Sequence, residues 1–291
     1  MTASPSVIHT SGAIRAQVLA ARAAGRRVGF VPTMGSLHAG HTSLVDQALA
    51  DCDDVVVSIY VNPTQFGPNE DFDRYPRNLA ADCQLLGQQQ VRWVFAPDTA
   101  EMYPPGNATR IEVAGPAEPF EGRLRPGHFS GVATIVCRLF QAVPADAAYF
   151  GAKDWQQTLV IKQMVRDLGL PVEVRVCPTV REPDGLAMSS RNAYLTSEQR
   201  RQARALSVAL EQAHVDWQAG ASVAAMTDSM TAALDAAGIA IDYAAVVAAD
   251  TLEPLEGLPF ETAAIALIAG RLGQTRLIDN LPLSPRGGAS C

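Results

Sequence analysis

The stretch VGFVPTMGSLHAGHTSLVDQALA, residues 28–50, decides the fold of this chain. The apolar run Val28–Val31 predicts a β-strand that Pro32 ends, and His41–Ala50 predicts a helix. Gly35 allows a tight turn at the point where the chain leaves the strand. A strand, a glycine-containing turn and a helix in this order form the first part of a βαβ unit.

Short apolar runs and longer amphipathic segments continue to alternate as far as residue 180. The predicted strands after the first are Val55–Val61, Trp93–Ala96, Ala147–Phe150 and Val172–Val176. The predicted helices after the first are Leu79–Gln89, Val132–Val143 and Trp155–Leu168. Apolar strands separated by helices of this length indicate a parallel sheet that is covered on both faces. We therefore expect an α/β fold, a Rossmann-like doubly wound parallel sheet.

The composition changes at about Arg181, beyond which alanine becomes frequent. The helices and strands predicted there are Ser197–Trp217, Ala221–Ala237, Ile241–Ala248 and Ala263–Ala269. This pattern predicts two domains, a Rossmann-like domain over residues 1–180 and a smaller α+β domain over 181–291. The Glu182–Gly185 turn would join them.

The composition is that of an ordinary globular enzyme, with 48% hydrophobic and 18% charged residues, which argues against disorder. A net charge of −7 disfavours a nucleic-acid-binding surface. We expect a cytoplasmic protein without a membrane segment, because arginines interrupt the first thirty residues and no apolar run reaches the roughly 20 residues of a membrane span. Its cysteines lack any C-x-x-C pair, which favours reduced thiols, and are Cys52, Cys83, Cys137, Cys177 and Cys291.

The histidines His38 and His41 stand three residues apart at the predicted start of a helix. A helix N-terminus presents free N–H groups that suit a phosphate, and Gly40 lets the backbone approach a ligand closely. Imidazoles at this place can stabilise charge on a transferring phosphoryl group. Two other interpretations stay open. The pair could ligate a metal, although the third ligand of an H-E-x-x-H site is missing, or it could simply cap the helix.

Other polar clusters also follow predicted strands. Asn62 and Gln65 offer two amides that can bind a small polar substrate, although an Asn–Pro turn explains the same residues. The segment Gly151–Gln157 places Lys153 where it can contact phosphate oxygens, and Asp154 where it can bind ribose hydroxyls or cap a helix.

Two segments further suggest phosphate binding. Met188–Asn192 offers two serine hydroxyls and an arginine, a set that binds phosphate oxygens and is also common at helix caps. Glu121–Phe129 combines two arginines and a histidine with glycines, and is either a mobile segment that closes over phosphates or a surface loop.

In this order, five segments closely resemble the pantoate–β-alanine ligase (pantothenate synthetase) family of the HxGH nucleotidyltransferase superfamily. They are PTMGSLHAGH, VNPTQF, RPGHFSGV, FGAKDWQQ and DGLAMSSRNAYL, and the late stretch Thr275–Asn280 resembles the end of the family pattern. The resemblance covers nearly the whole chain. It implies ATP-dependent condensation of pantoate with β-alanine through a pantoyl-adenylate, with release of AMP and pyrophosphate.

The resemblance also implies roles for individual residues. His38 and His41 would stabilise the transition state at the α-phosphate, with His41 as the proton donor, and Lys153, Ser189, Ser190 and Arg191 would hold phosphates. Gln65, Gln157 and Asn62 would bind pantoate and β-alanine. The ATP site would comprise Met34, Gly35, Ser36, Leu37, His38, Ala39, Gly40, His41, Gly151, Ala152, Lys153, Asp154, Val180, Met188, Ser189, Ser190 and Arg191. Magnesium would neutralise the pyrophosphate, with no protein ligand identified, and the family implies a homodimer.

Three alternatives remain open from the sequence. A nucleotidyltransferase of the same superfamily would join a phosphorylated small molecule to a nucleotide. A tRNA-charging enzyme or nucleotide-binding module is disfavoured by the acidic composition and by the lack of room for an anticodon-reading domain. An inactive regulatory homologue is disfavoured because both histidines, Lys153 and the Ser189–Arg191 triplet are intact.

Overall fold

The structure is a computed structural model that describes residues 4–68, 70–256 and 261–283. Its contacts divide the chain into two compact units. The first unit comprises Met1–Ala152 and Gln156–Pro178. The second comprises Lys153–Trp155 and Thr179–Cys291.

Strands and helices alternate along the first unit. Its strands are β1 (Ser6–Ile8), β2 (Val28–Thr33), β3 (Asp54–Ile59), β4 (Trp93–Phe95), β5 (Ala147–Gly151) and β6 (Glu173–Cys177). Its helices are α1 (Ser11–Ala23), α2 (Ala39–Asp51), α3 (Leu79–Gln88), α4 (Thr99–Met102), α5 (Glu121–Leu124), α6 (His128–Ala142) and α7 (Trp155–Asp167). Short 3₁₀ turns occur at Pro63–Gln65, Phe72–Arg74 and Ala152–Asp154.

The strands of the first unit pair in the order β1-β4-β3-β2-β5-β6, and every pair is parallel. This arrangement confirms the predicted doubly wound sheet. From β2 the chain proceeds to β3 and β4 on one side, and later to β5 and β6 on the other. The topological switch point therefore lies between β2 and β5, which is where open α/β sheets bind their ligands. Because β2, β3 and β5 are parallel, the segments that follow them all leave the sheet at the carboxyl ends of the strands.

Both faces of this sheet are covered, because neighbouring residues of each strand enter different cores. Phe30 packs with helices α1, α6 and α7 in one cluster. The next residue, Val31, packs with α2 and α3 in another. Such two-sided burial explains why these strands are apolar throughout instead of alternating.

Some element boundaries differ from the predicted ones. The predicted strand Val55–Val61 ends at Ile59, and α6 begins at His128, before the predicted Val132. The earlier start follows from Gly127, whose left-handed φ of 82° turns the chain into the helix. Neither β1 nor α1 was predicted. The first is only three residues long, and the alanine-rich α1 buries few large side chains.

The second unit is the predicted smaller α+β domain type. It contains helices α8 (Ser197–Gln218) and α9 (Val223–Ala236), and strands β7 (Ala240–Ala248), β8 (Ala264–Leu272) and β9 (Thr275–Leu283). The strands form an antiparallel sheet in the order β7-β8-β9, and both helices share its apolar core. The strand β9 was not predicted, because Asp279 and Asn280 interrupt its apolar pattern. The Glu182–Gly185 turn is present, with Gly185 N–H donating to the Glu182 carbonyl at 2.9 Å.

Within the described part of the chain, Cys52, Cys83, Cys137 and Cys177 are free thiols, whereas Cys291 lies outside it. None of the helices described is long and apolar enough to cross a membrane. The described residues also contain no group of three or more His, Cys, Asp or Glu side chains arranged to hold a metal ion.

Candidate active site

The turn after β2 is held by the last side chain of that strand. Thr33 Oγ1 donates to the Ser58 carbonyl at 2.7 Å and accepts from Gly35 N–H at 3.1 Å. Gly35 has φ +81°, and a Cβ there would lie 2.9 Å from Asp82 Oδ2 and 3.0 Å from Ile59 Cγ2. Only glycine combines this backbone conformation with so little space.

A buried carboxylate, Asp82, holds the same turn from the first turn of α3. Its side-chain Oδ2 accepts from Ser36 N–H at 3.0 Å, and Oδ1 accepts from Leu37 N–H at 2.9 Å. Ser36 has the positive φ of 53°, an uncommon conformation for a residue other than glycine. Asp82 was not among the predicted site residues. An acid in the first turn of a helix is ordinary, so the sequence carries no signal for this role.

His38 and His41 cap α2 reciprocally. His38 is the N-cap, and its Nδ1 accepts from Gly40 N–H at 3.2 Å, while His41 Nδ1 accepts from His38 N–H at 3.3 Å. The ring centroids lie 4.1 Å apart. A ring nitrogen that accepts an N–H bond carries no proton, so each neutral ring is protonated at Nε2. The histidines therefore cap the helix and also present Nε2–H donors, so the capping interpretation does not exclude the phosphate-binding one.

The 3₁₀ turn after β3 brings two amides to the turn after β2. Gln65 Nε2 donates to Met34 Sδ at 3.0 Å, and Asn62 Nδ2 donates to Gln65 Oε1 at 3.2 Å. Asn62 is buried, accepts from Tyr103 Oη at 2.9 Å and donates to the Gly131 carbonyl at 3.2 Å. The Asn–Pro turn is real, and it also fixes Gln65 beside Met34.

A glycine in α6, Gly131, lets that helix pack closely against the 3₁₀ turn after β3. A Cβ on Gly131 would lie 2.4 Å from the Thr64 carbonyl oxygen and 2.7 Å from its carbon. Because the clashing atoms belong to the backbone, a rotamer change cannot relieve the contact.

His128 and Arg125 support Gln65 from the other side. His128 Nδ1 lies 2.8 Å from the Gln65 carbonyl, and His128 Nε2 lies 3.0 Å from Arg125 Nη1. The carbonyl requires a donor at Nδ1, so Nε2 accepts from the arginine and the ring is neutral. Burial, followed by the charge of Arg125, lowers the pKa of His128 to about 4. The neutral ring is thus the state present near neutral pH.

Arg125 itself forms a two-pronged pair with Glu70, at 2.6 Å for both bonds. Burial alone would raise the pKa of the Glu70 carboxyl, but the hydrogen bonds and charge of Arg125 lower it. The segment Glu121–Phe129 contains α5 and the first two residues of α6. Its end residues, Glu121 and Phe129, are both buried.

After β5 the chain forms a 3₁₀ turn and enters α7. Gly151 has open space at its Cβ position, Ala152 is buried, and Gln157 is half-buried. The preceding Gln156, which was not singled out as a site residue, is buried. Its amide donates to the carbonyls of Pro116 and Pro119 at 2.9 and 2.7 Å, and its oxygen accepts from Glu121 N–H at 3.1 Å. Gln156 therefore fixes the segment before α5.

The remaining predicted site residues belong to the second unit. Lys153 is half-buried and Asp154 is exposed. Met188 N–H donates to the Val180 carbonyl at 3.0 Å, and Ser189 caps the 3₁₀ turn Ser190–Tyr194 by accepting from Arg191 N–H at 3.2 Å. The serines and Arg191 are half-buried.

The structure thus brings predicted site residues together in two sets. One set lies beyond the carboxyl ends of the strands of the first sheet and comprises Met34 to His41, Asn62 and Gln65. At the same end of the sheet Gly151 is the last residue of β5, and Ala152 begins the 3₁₀ turn that follows. Lys153, Asp154, Val180 and Met188–Arg191 belong to the second unit.

Comparison with known proteins shows which family the chain resembles. The family described as pantoate-beta-alanine ligase matches residues 6–282. A pantothenate synthetase from Roseiflexus castenholzii is 52% identical over 276 residues, which is 94% of this chain and 98% of the relative. A pantothenate synthetase from Rhizorhabdus wittichii is 50% identical over 280 residues, covering 96% of this chain and 99% of the relative.

Solved structures give the same result. The pantothenate synthetase of Thermus thermophilus superposes with a TM-score of 0.90 at 49% identity, covering 96% of this chain and 99% of that one. A pantoate-beta-alanine ligase from Francisella tularensis, complexed with beta-gamma ATP and beta-alanine, has a TM-score of 0.77 at 35% identity, covering 96% and 98%. From the match along nearly its whole length, the chain belongs to the pantoate–β-alanine ligase family.

Proposed function

We propose that the capping histidines His38 and His41 catalyse the first step of the ligation by acting on the α-phosphate of ATP. The protein is an AMP-forming ligase that condenses pantoate with β-alanine and uses ATP as co-substrate. The observation that carries the proposal is the reciprocal cap, because it commits both Nδ1 atoms to the backbone. Both Nε2–H groups are then donors at a helix N-terminus, where negative charge is favoured.

In the first step, a carboxylate oxygen of pantoate attacks the α-phosphorus, and the bond to the pyrophosphate oxygen breaks. The Nε2–H groups stabilise the charge that develops on the α-phosphate oxygens, with His41 as proton donor to the departing pyrophosphate oxygen. In the second step, the β-alanine amine attacks the carbonyl carbon of pantoyl-adenylate. AMP leaves, and the nitrogen loses a proton to solvent as the amide forms. A bare carboxylate resists amine attack, which is why the adenylate is needed.

The other predicted residues complete the proposed site. Gln65, Gln157 and Asn62 hold pantoate and β-alanine, and residues 34–41 with Gly151, Ala152, Asp154 and Val180 surround ATP. Lys153, Ser189, Ser190 and Arg191 bind phosphate oxygens, with Met188 beside them. We propose that residues 1–180 form the ATP- and pantoate-binding domain, and that residues 181–291 close over it. The bound ATP and β-alanine of the Francisella tularensis relative support the ligand set.

Magnesium, dimerisation and location are further parts of the proposal. The residues that the structure describes form no acidic metal cluster, so we propose that Mg²⁺ is held chiefly by ATP phosphates, as magnesium commonly is. Its positive charge neutralises the departing pyrophosphate. From the family we propose a homodimer in the cytoplasm, acting on small molecules without nucleic acid or membrane. Light scattering on the purified protein would measure the oligomer.

Pantoate-dependent exchange of labelled pyrophosphate into ATP tests the first step by itself. The expected result is exchange that requires pantoate and proceeds without β-alanine, together with AMP release that requires all three substrates. Exchange without pantoate would favour the nucleotidyltransferase alternative. A tRNA gel shift would test the alternative of a tRNA-charging enzyme.

The sequence offers a matched control for the phosphate contact. The chain contains two lysines, Lys153 and the exposed Lys162 of α7. Lys153→Ala is expected to lose at least about 100-fold in exchange, the scale of one preorganised contact. Lys162→Ala should exchange at the wild-type rate. Equal rates in the two variants would refute the assignment of Lys153 to phosphate.

A further inference from the structure

The motif Thr275–Asn280 forms part of β9 and has no role in the reaction as described so far. Two consecutive members, Asp279 and Asn280, are each only 3% exposed. A buried carboxylate and a buried amide require partners, because their desolvation is costly. Their partners lead to both phosphate-binding segments of the second unit.

Asp279 holds the hairpin that precedes the serine–arginine segment. Its carboxylate forms a two-pronged pair with Arg181, at 2.6 and 3.1 Å. The same guanidinium donates to the Gly185 carbonyl at 3.1 Å, and Arg181 pairs with Ala187 in an antiparallel bridge. Met188 follows directly, so Asp279 fixes the base of the segment that carries Ser189, Ser190 and Arg191.

Asn280 holds the other segment. Its Nδ2 donates to the Lys153 carbonyl at 2.8 Å, which fixes the backbone from which the lysine side chain extends. Asn280 N–H also donates to Asp279 Oδ1 at 2.8 Å, so the two anchors are bonded to each other. Two residues beyond Lys153, Trp155 Nε1 donates to the Ala249 carbonyl at 2.7 Å.

We infer that Asp279 and Asn280 are positioning residues that set the spacing between Lys153 and the Ser189–Arg191 segment. The inference rests on the phosphate-binding roles proposed above for these groups. Lysine is a flexible point charge, so its placement depends on a fixed backbone. A displacement of about 1 Å at a reacting centre can cost about 100-fold in rate. The bonds of the pair reach the two phosphate-binding segments, so its loss should lower the adenylation rate and leave the KM for pantoate unchanged.

The same sheet supplies a matched control. Arg276 of β9 donates to Asp242 of β7 at 2.6 Å, and this ion pair is also largely buried. This bond joins β9 to β7, whereas the bonds of Asp279 and Asn280 reach the Arg181–Ala187 hairpin and Lys153. Asp242→Asn therefore removes an ion pair that holds β9 to β7 and leaves the bonds of Asp279 and Asn280 in place.

The experiment compares Asn280→Ala and Asp279→Asn with Asp242→Asn in pantoate-dependent pyrophosphate exchange, with thermal unfolding measured alongside. We expect Asn280→Ala and Asp279→Asn to lose about 10-fold to 100-fold in exchange rate with an unchanged KM for pantoate. Asp242→Asn should stay within about 2-fold of wild type, the scatter expected of a site uninvolved in the reaction. Should Asn280→Ala not fold, the isosteric Asn280→Asp replaces its donor with an oxygen facing the Lys153 carbonyl.

A double variant separates positioning from simple stability. If Asn280 acts through Lys153, adding Asn280→Ala to Lys153→Ala should cause no further loss. The same loss in both backgrounds, or equal losses in all three single variants, would overturn the inference. Near-wild-type exchange by Lys153→Ala alone would instead refute the proposed phosphate role, so the two failures are distinguishable.

Discussion

The backbone N–H of His38 donates to Nδ1 of His41 at 3.3 Å. Because Nδ1 must stay unprotonated to accept this bond, the cap of α2 also fixes the tautomer of His41. Substitutions that preserve the cap but remove the imidazole ring therefore separate the stability of the helix from the chemistry of the ring.

The first prediction uses two such substitutions. Asparagine is a favoured N-cap, and glutamine at the third helical position completes a capping box. The free energies of unfolding of His38→Asn and His41→Gln should lie within about 0.5 kcal/mol of the wild-type value. Each should lose about 100-fold to 1,000-fold in pyrophosphate exchange, because the imidazole Nε2–H is gone and an amide cannot supply a proton in its place. Denaturant unfolding and exchange assays measure the two effects. Wild-type exchange in either variant would contradict the catalytic role.

The second prediction concerns Asp82. Asp82→Ala removes the acceptor of two backbone N–H groups, and leaving buried donors unsatisfied costs about 1–3 kcal/mol. We expect a destabilisation of that size and a raised KM for ATP, because the turn before His38 loses its support. Asp46→Ala, at an exposed position of α2 where the carboxylate accepts from Gln89 Nε2 at 2.6 Å, is the control and should leave the KM for ATP unchanged. An unchanged KM in Asp82→Ala would show that the turn holds its shape alone.

The third prediction compares two glycines. Gly131→Ala places a methyl group against the Thr64 backbone and should destabilise the protein by about 1–3 kcal/mol, the usual cost of overpacking. It should also raise the KM for pantoate by displacing Gln65. Gly12, in the first turn of α1, has nothing within 4 Å of its Cβ position. Gly12→Ala should therefore stabilise by about 0.5 kcal/mol. Calorimetry on both variants checks the signs, and a stable Gly131→Ala would rule out the close approach.

The fourth prediction is a pH dependence from His128. Its pKa in the folded protein, about 4, lies below the ordinary value of 6.5, so the unfolded chain binds more protons between these values. Stability is therefore full above about pH 6.5 and falls with decreasing pH. From pH 7 to pH 5 the titration of His128 should lower the free energy of unfolding by about 2 kcal/mol. The lowered pKa of Glu70 acts below its ordinary 4.5, outside this interval.

Urea unfolding of the wild type and of His128→Gln at pH 7 and pH 5 checks this effect. The variant lacks a titrating ring, so its loss of stability over the interval should be smaller by about 2 kcal/mol. Parallel losses in the two proteins would mean that His128 does not titrate with this lowered pKa.

Much of this architecture was predictable from the sequence, because long apolar strands and glycine turns are local signals. The parallel sheet, the smaller α+β unit and the turn at residues 34–41 all follow from such signals. Asp82, Gln156 and Asp279 were not predicted, because each acts on groups far away in the chain. An acid in a first helical turn, an amide next to another amide, and a polar residue in a strand have no distinctive spacing. Their roles exist only once the tertiary structure brings the partners together.

The grouping of residues 153–155 with the second unit has a consequence for protein engineering. The chain passes between the units after Ala152, after Trp155 and after Pro178. No single cut can therefore yield two intact pieces. A fragment beginning at Thr179 would lack the carbonyl that Asn280 binds and the indole that donates to Ala249. Circular permutants, which retain every residue of both units, are therefore the versions to build.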